Sequence, residues 1–213
     1  MVIARRWLLP TLGVLLAAGV LPVAANPELR STFPGRRVAG GTRGECTARF
    51  LVHLVPESSV FAPGDPPWLG VLQGPTQAPK PLLVDLRRLV AGGTADDAQD
   101  RLRRLRFAAS EAGVSLFRAP LAHGVVWESS YQCIPAKPGD EAGGGETGFD
   151  APPAISLLLR DGTAVDRLLQ DRLQALRGQC GGSVSKQRLI ADFNLSNLDL
   201  SPWPDPLPVR CFP

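Results

Sequence analysis

Glycine and proline cut this chain into pieces too short for most helices. They fill 22 and 21 of its 213 positions, or 43 together and about a fifth of the chain, against roughly 12% in average usage. The apolar runs Trp68 to Leu72, Leu82 to Arg87 and Val114 to Arg118 are each bounded by one or the other. Punctuation of this kind specifies short strands joined by turns.

Two further stretches alternate with period two. From Cys46 to Val55 the even positions Cys46, Ala48, Phe50, Val52 and Leu54 form an apolar face, which places His53 on the outward face, and Pro56 stops the strand. From Val125 to Cys133 the residues Val125, Trp127, Ser129, Tyr131 and Cys133 face one way, and Val126, Glu128, Ser130 and Gln132 the other. Ile155 to Arg160 reads as a sixth strand. The expected fold is mainly β: a disulfide-braced, mostly antiparallel β-sandwich over 46–160, with 134–153 as a mobile loop and a C-terminal helical extension over 161–213. The Pro/Arg/Ser and glycine-rich lead-in, 26–45, is expected to be a linker that does not pack.

Helical spacing is expected in three places. Thr163 to Arg177 carries Val165, Leu168, Leu169, Leu173 and Leu176 as its apolar face, with Thr163 and Asp166 as a capping pair and Gly178 past its end. Thr94 to Arg106 carries Ala95, Ala98, Leu102 and Leu105 at helical spacing, and Arg101, Arg103, Arg104 and Arg106 on its outer face. Those arginines would suit an anionic partner, but a single charged face is ordinarily just solvated, and Asp96, Asp97 and Asp100 lie beside them. A third helix is expected from Ser185 to Phe193.

The first 25 residues have the three parts of a secretory signal. Arg5 and Arg6 precede an apolar run from Trp7 to Val23, and Val23-Ala24-Ala25 offers a small-residue cleavage site. An uncleaved anchor is the competing reading, since the run is just long enough to span a bilayer at roughly 20 residues; Pro10 and Pro22, which interrupt it, favour cleavage. Cleavage leaves no stable membrane span and removes two arginines, so 21 basic residues then face 20 acids and the net charge falls from +3 to +1. That balance argues against a nucleic-acid surface, which works by releasing counterions from phosphates.

An exported chain with four cysteines reads as a disulfide protein, and four cysteines allow three connectivities. The preferred pairing is Cys46 with Cys133, both placed on inward faces of their strands, and Cys180 with Cys211. Structural zinc is disfavoured because its ligands come in close pairs, whereas the nearest two cysteines are 31 apart and only His53 and His123 could assist. No cofactor motif is present. Gly40-Gly41-Thr42-Arg43-Gly44 follows a lead-in and opens a strand, which is the reverse of a dinucleotide cradle, so Arg43 is read as a local hydrogen-bond donor. A nucleophile triad would have to use His53 or His123, and no G-x-S-x-G elbow occurs. Glu128, Asp85 and Glu57 could converge as carboxylates, although nothing in the spacing selects them.

The glycine-rich run 40–44, Cys46, the strand ending His53-Leu54-Val55-Pro56, and the later Trp127, Tyr131 and Cys133 resemble an exported cyanobacterial family known as domain of unknown function 928. The resemblance covers about residues 34–160. It implies a signal peptide, an aromatic strand leading to a cysteine, and no assigned enzymatic activity. The chain departs from the family where relatives have a strand rich in Trp, Phe and Tyr between prolines: here stands only Pro66-Pro67-Trp68-Leu69-Gly70-Val71-Leu72.

These observations lead to an exported periplasmic or envelope protein that is not an enzyme, a module binding or scaffolding a protein or glycan partner, with Arg43, His53 and Glu128 as candidate partner-binding residues. The alternative is a small periplasmic hydrolase of envelope glycans, which would need Glu128 and Asp85 within about 10 Å in a cleft. Attachment to a membrane surface through residues 1–25 is a third reading.

Overall fold

In the computed structural model, the described residues are 27–40, 49–89, 101–119, 124–132 and 152–213. They form a mainly β, two-sheet sandwich flanked by short helices. A lead helix α1 (Pro27–Thr32) precedes strands β1 (Val38–Ala39), β2 (Leu51–His53), β3 (Val60–Phe61), β4 (Trp68–Gln73), β5 (Leu82–Arg88), β6 (Arg101–Phe107), β7 (Gly113–Arg118), β8 (Val125–Tyr131) and β9 (Ala154–Leu158). Then come α2 (Ala164–Arg177), β10 (Ser183–Val184), α3 (Lys186–Phe193) and β11 (Leu207–Cys211).

One sheet has six strands in the order β1-β2-β4-β7-β11-β10, and the other has five, β3-β9-β8-β5-β6. Pairing is antiparallel throughout except for β11 on β7 and β3 on β9. Aromatic rings bridge the sheets. Phe117 of β7 meets Trp127 of β8 edge-on at 5.8 Å and Phe107 of β6 at 5.2 Å. On β8 the alternation holds as expected, with Val125, Trp127, Ser129 and Tyr131 buried and Val126, Glu128 and Ser130 half-buried.

On β2 the alternation misleads. Val52 and Leu54 are buried, but so are Leu51 and His53, because a third layer covers the other face of this sheet. A Cβ placed on Gly70 of β4 would lie 2.9 Å from both Leu54 and Leu173 of α2, and 3.2 Å from Leu116. Leu54 therefore points at the helix layer, and Gly70 lets α2 settle closely onto the sheet. Phe50, expected on the inward face, is 40% exposed and touches Trp203 at 6.4 Å between ring centroids.

The lead-in also differs from expectation, because it packs. Val38 and Ala39 pair with β2, and the Arg37 side chain is buried, donating to the carbonyls of Val55, Phe193 and Asn194. On the outer face of the five-stranded sheet, Leu29 and Phe33 cover Val60, Leu157 and Leu159.

Helix α2 begins with the expected capping box: the Thr163 hydroxyl accepts from the Asp166 amide, and the Asp166 carboxylate accepts from the Thr163 amide. Its buried stripe is Asp166, Leu169, Leu173 and Leu176, a 3-4-3 spacing. Val165 and Leu168, expected in that stripe, are 56% and 50% exposed, because Asp166 takes the inward position in the first turn. Helix α3 is capped by Ser185 and ends at Asn194 in a left-handed conformation, φ 49°.

The segment expected as a helical extension returns to the sheet. β11 inserts between β7 and β10, where Gly113, at φ +154°, leaves room for the Pro208 carbonyl 2.7 Å from where a Cβ would stand. Cys180 and Cys211 form a disulfide with Cα atoms 5.6 Å apart, pinning the end of β11 to the turn after α2. Cys46 and Cys133 lie outside the described residues, as do most of the expected loop 134–153, His123 and Arg43. Because the bond closes a loop across 31 positions, the Cys180→Ala/Cys211→Ala variant is expected to lose about 4 kcal/mol of stability. The urea midpoint checks this, and an unchanged midpoint would refute it. Among the described residues, no helix is long and apolar enough to cross a membrane.

The largest departure from the sequence reading is at 101–106, expected as the end of a helix and found as strand β6. Leu102 and Leu105 are both partly buried against the core. Their spacing of three imitates a helix because a β-bulge intervenes: Leu86 faces Arg103 and Arg87 faces Arg101, leaving Leu102 as the extra residue. From Arg104 to Phe107 the period is two, with Phe107 buried and Arg104 and Arg106 exposed. Residues 94–100 lie outside the described residues.

Candidate functional site

The outer face of the five-stranded sheet divides into two halves. The β3/β9 half is sealed by α1, while the β5/β6 half is charged. On β5, Leu82, Val84 and Leu86 point into the sandwich and are fully buried, so Leu83, Asp85 and Arg87 point out. Asp85 sits opposite Glu128 of β8 on one side and Arg104 of β6 on the other. The two carboxylates considered for hydrolysis are thus cross-strand neighbours, with Cβ atoms about 5 Å apart by sheet geometry.

Both are tied into ion pairs. Arg104 holds Asp85 through two parallel bonds of 2.8 and 2.9 Å, and Arg101 approaches the same carboxylate at 3.3 Å. This fork raises the Arg104 pKa further, chiefly through its hydrogen bonds to Asp85. Glu128 is gripped by Arg87, and Arg106 donates to the side-chain amide oxygen of Gln132 at 2.8 Å. Arg103 is exposed and makes no ion pair with a described residue. The arrangement is a rigid, guanidinium-rich surface suited to recognising planar anions rather than to moving protons. The sequence reading found Asp85 and Glu128 but put the arginines on a helix; the Arg104-Leu105-Arg106-Phe107 alternation was the available strand signal.

His53 lies elsewhere and plays a different part. Expected to face outward, it is fully buried between the sheets. Its ring stacks on Trp127 at 3.6 Å and 9°, Nδ1 is 2.8 Å from the Ser156 hydroxyl, and Nε2 has no hydrogen-bond partner among the described residues. Burial pushes its pKa well below the usual 6.5. The folded chain therefore resists a proton that the unfolded chain accepts. His53 costs nothing above about pH 6.5, and below it stability falls by about 1.4 kcal/mol per pH unit until the folded imidazole itself protonates. Urea unfolding across pH should show this slope in the wild type and its loss in His53→Gln; equal slopes would refute it.

Glu57, the third carboxylate considered, accepts from the Asn194 side-chain Nδ2 at 2.7 Å and lies 3.7 Å from Arg37. A cavity of about 540 Å³ opens beside the start of β4, lined by Gly64, Asp65, Pro67 and Arg160. Among the described residues, no three His, Cys, Asp or Glu side chains gather as metal ligands would.

Comparison with protein-family models, curated proteins and solved structures finds no match to this chain. Its function has to be read from its own side chains.

Proposed function

We propose that this protein is an exported module of the cell envelope that binds or scaffolds a partner and catalyses no reaction. The observation that carries the reading is the state of Asp85 and Glu128: each is held by arginine and built into the sheet surface. His53, the described imidazole, is likewise spent on the core. The Cys180–Cys211 disulfide is compatible with an oxidising compartment. The signal-like residues 1–25 and the likeness to the domain of unknown function 928 family point the same way, toward export without an assigned activity.

The test is fractionation of cells with N-terminal sequencing of the protein, followed by cross-linking and pull-down from envelope extract. The reading expects a chain beginning near Asn26 in the envelope or periplasm, with a reproducible partner. Recovery from the cytosol with residues 1–25 attached overturns it. Because Asp85 and Glu128 are neighbours, the hydrolase alternative has a direct test: hydrolysis of envelope glycans by the purified protein, abolished in Glu128→Gln, would replace the binding reading.

A further inference from the structure

Strand β6 ends its sheet and pairs, among the described residues, on one side only, with β5. An edge strand carries a row of backbone donors and acceptors, and proteins commonly guard such edges with charge. Here the guard has one sign. Arg101, Arg103, Arg104 and Arg106 share the strand, and among the described residues the carboxylate that meets any of them is Asp85, which engages Arg101 and Arg104. Two copies of this edge would repel each other, whereas an acidic strand would be drawn in, so the charge selects one class of partner against another.

The spacing fits such a partner. The bulge lies at Leu102, which leaves Arg103 to Phe107 as a regular stretch. Arg104 and Arg106 project from one face two residues apart, about 6.8 Å at strand rise. An extended peptide with acidic residues at alternate positions has the same repeat, and its carboxylates would stand about 5 Å from those arginines in a cross-strand pairing. We propose that the β6 edge is a docking strand for an acidic, extended peptide segment of an envelope protein, which adds to the sheet beside Arg103–Phe107. The proposal rests on the reading of the chain as a binding module and names the class of its partner.

The test uses the purified protein with its disulfide intact and a labelled synthetic peptide alternating glutamate with threonine, read by fluorescence anisotropy. The peptide is expected to bind, more weakly as salt rises. Affinity should fall at least tenfold in Arg104→Gln/Arg106→Glu, both exposed positions on the face that the acidic repeat would meet, with thermal melts as the check on folding. It should fall as far when alternate peptide nitrogens are methylated, because one of the two methylation frames removes the donors that a sheet requires. Absence of binding, unchanged affinity in the double variant, or equal binding by both methylated peptides and by polygalacturonate would overturn the proposal. If envelope pull-down still captures the same partner with the double variant, the module reading survives and the β6 edge is not its docking site.

Discussion

The Trp127→Ala variant is expected to lose about 4 kcal/mol of folding stability, within the range for emptying a large buried aromatic site. Trp127 is fully buried and joins the two sheets. One face stacks on His53, Phe117 meets it edge-on, and its Nε1 donates to the Ser129 hydroxyl at 2.9 Å. Alanine would leave a void that strands from both sheets line, and neither sheet can collapse into it without breaking its own ladder. It would also leave the Ser129 hydroxyl and the His53 Nε2, which has no partner among the described residues, in the same dry space. A domain of this size has about 5–15 kcal/mol in total, so the variant should sit near its unfolding threshold. Urea unfolding measures the loss, with Trp127→Phe, which keeps an aromatic ring, losing about half as much. A loss under about 1 kcal/mol would show that the inter-sheet core does not depend on this ring.

Asp166→Ala is expected to cost nearly as much, for electrostatic reasons. Its carboxylate is fully buried and serves three segments at once. It accepts from the Thr163 amide at 2.7 Å and hydroxyl at 2.8 Å, and from the Ala62 amide at 3.2 Å. It also pairs with Arg30 at 2.8 Å. Removing it strands two backbone donors and a guanidinium that is only 18% exposed. Loss of one partner of a buried pair costs about 3–5 kcal/mol, and a helix cap alone about 1 kcal/mol. Thr163→Ala, which removes only the cap, is therefore the control. Hydrogen exchange should quicken at Ala62 and Thr163 in Asp166→Ala, and protection equal to the wild type would refute the account.

The charged face shows how far local patterning reaches. Both Asp85 and Glu128 were legible as candidates, and Glu128 as an outward residue, because period two in β8 states which side chains share a face. Their partners were not, since Arg87, Arg101 and Arg104 arrive from a register that no local pattern contains. The β6 reading failed for a related reason. A bulge adds one residue, and one extra residue turns strand spacing into helix spacing over the same two leucines.

What the sequence determined by itself is local: the short strands between glycines and prolines, the Thr163/Asp166 and Ser185 helix starts, and the inward face of β8. These depend on backbone geometry and on hydrogen bonds within a few residues. Tertiary structure alone decided what covers each face. His53 is buried because helices occupy the far side of its sheet and push the other face of β2 against Trp127, and β11 becomes an inner strand because Cys180 holds Cys211 beside β7. Alternation records which residues travel together, whereas burial depends on chain segments that arrive from far away.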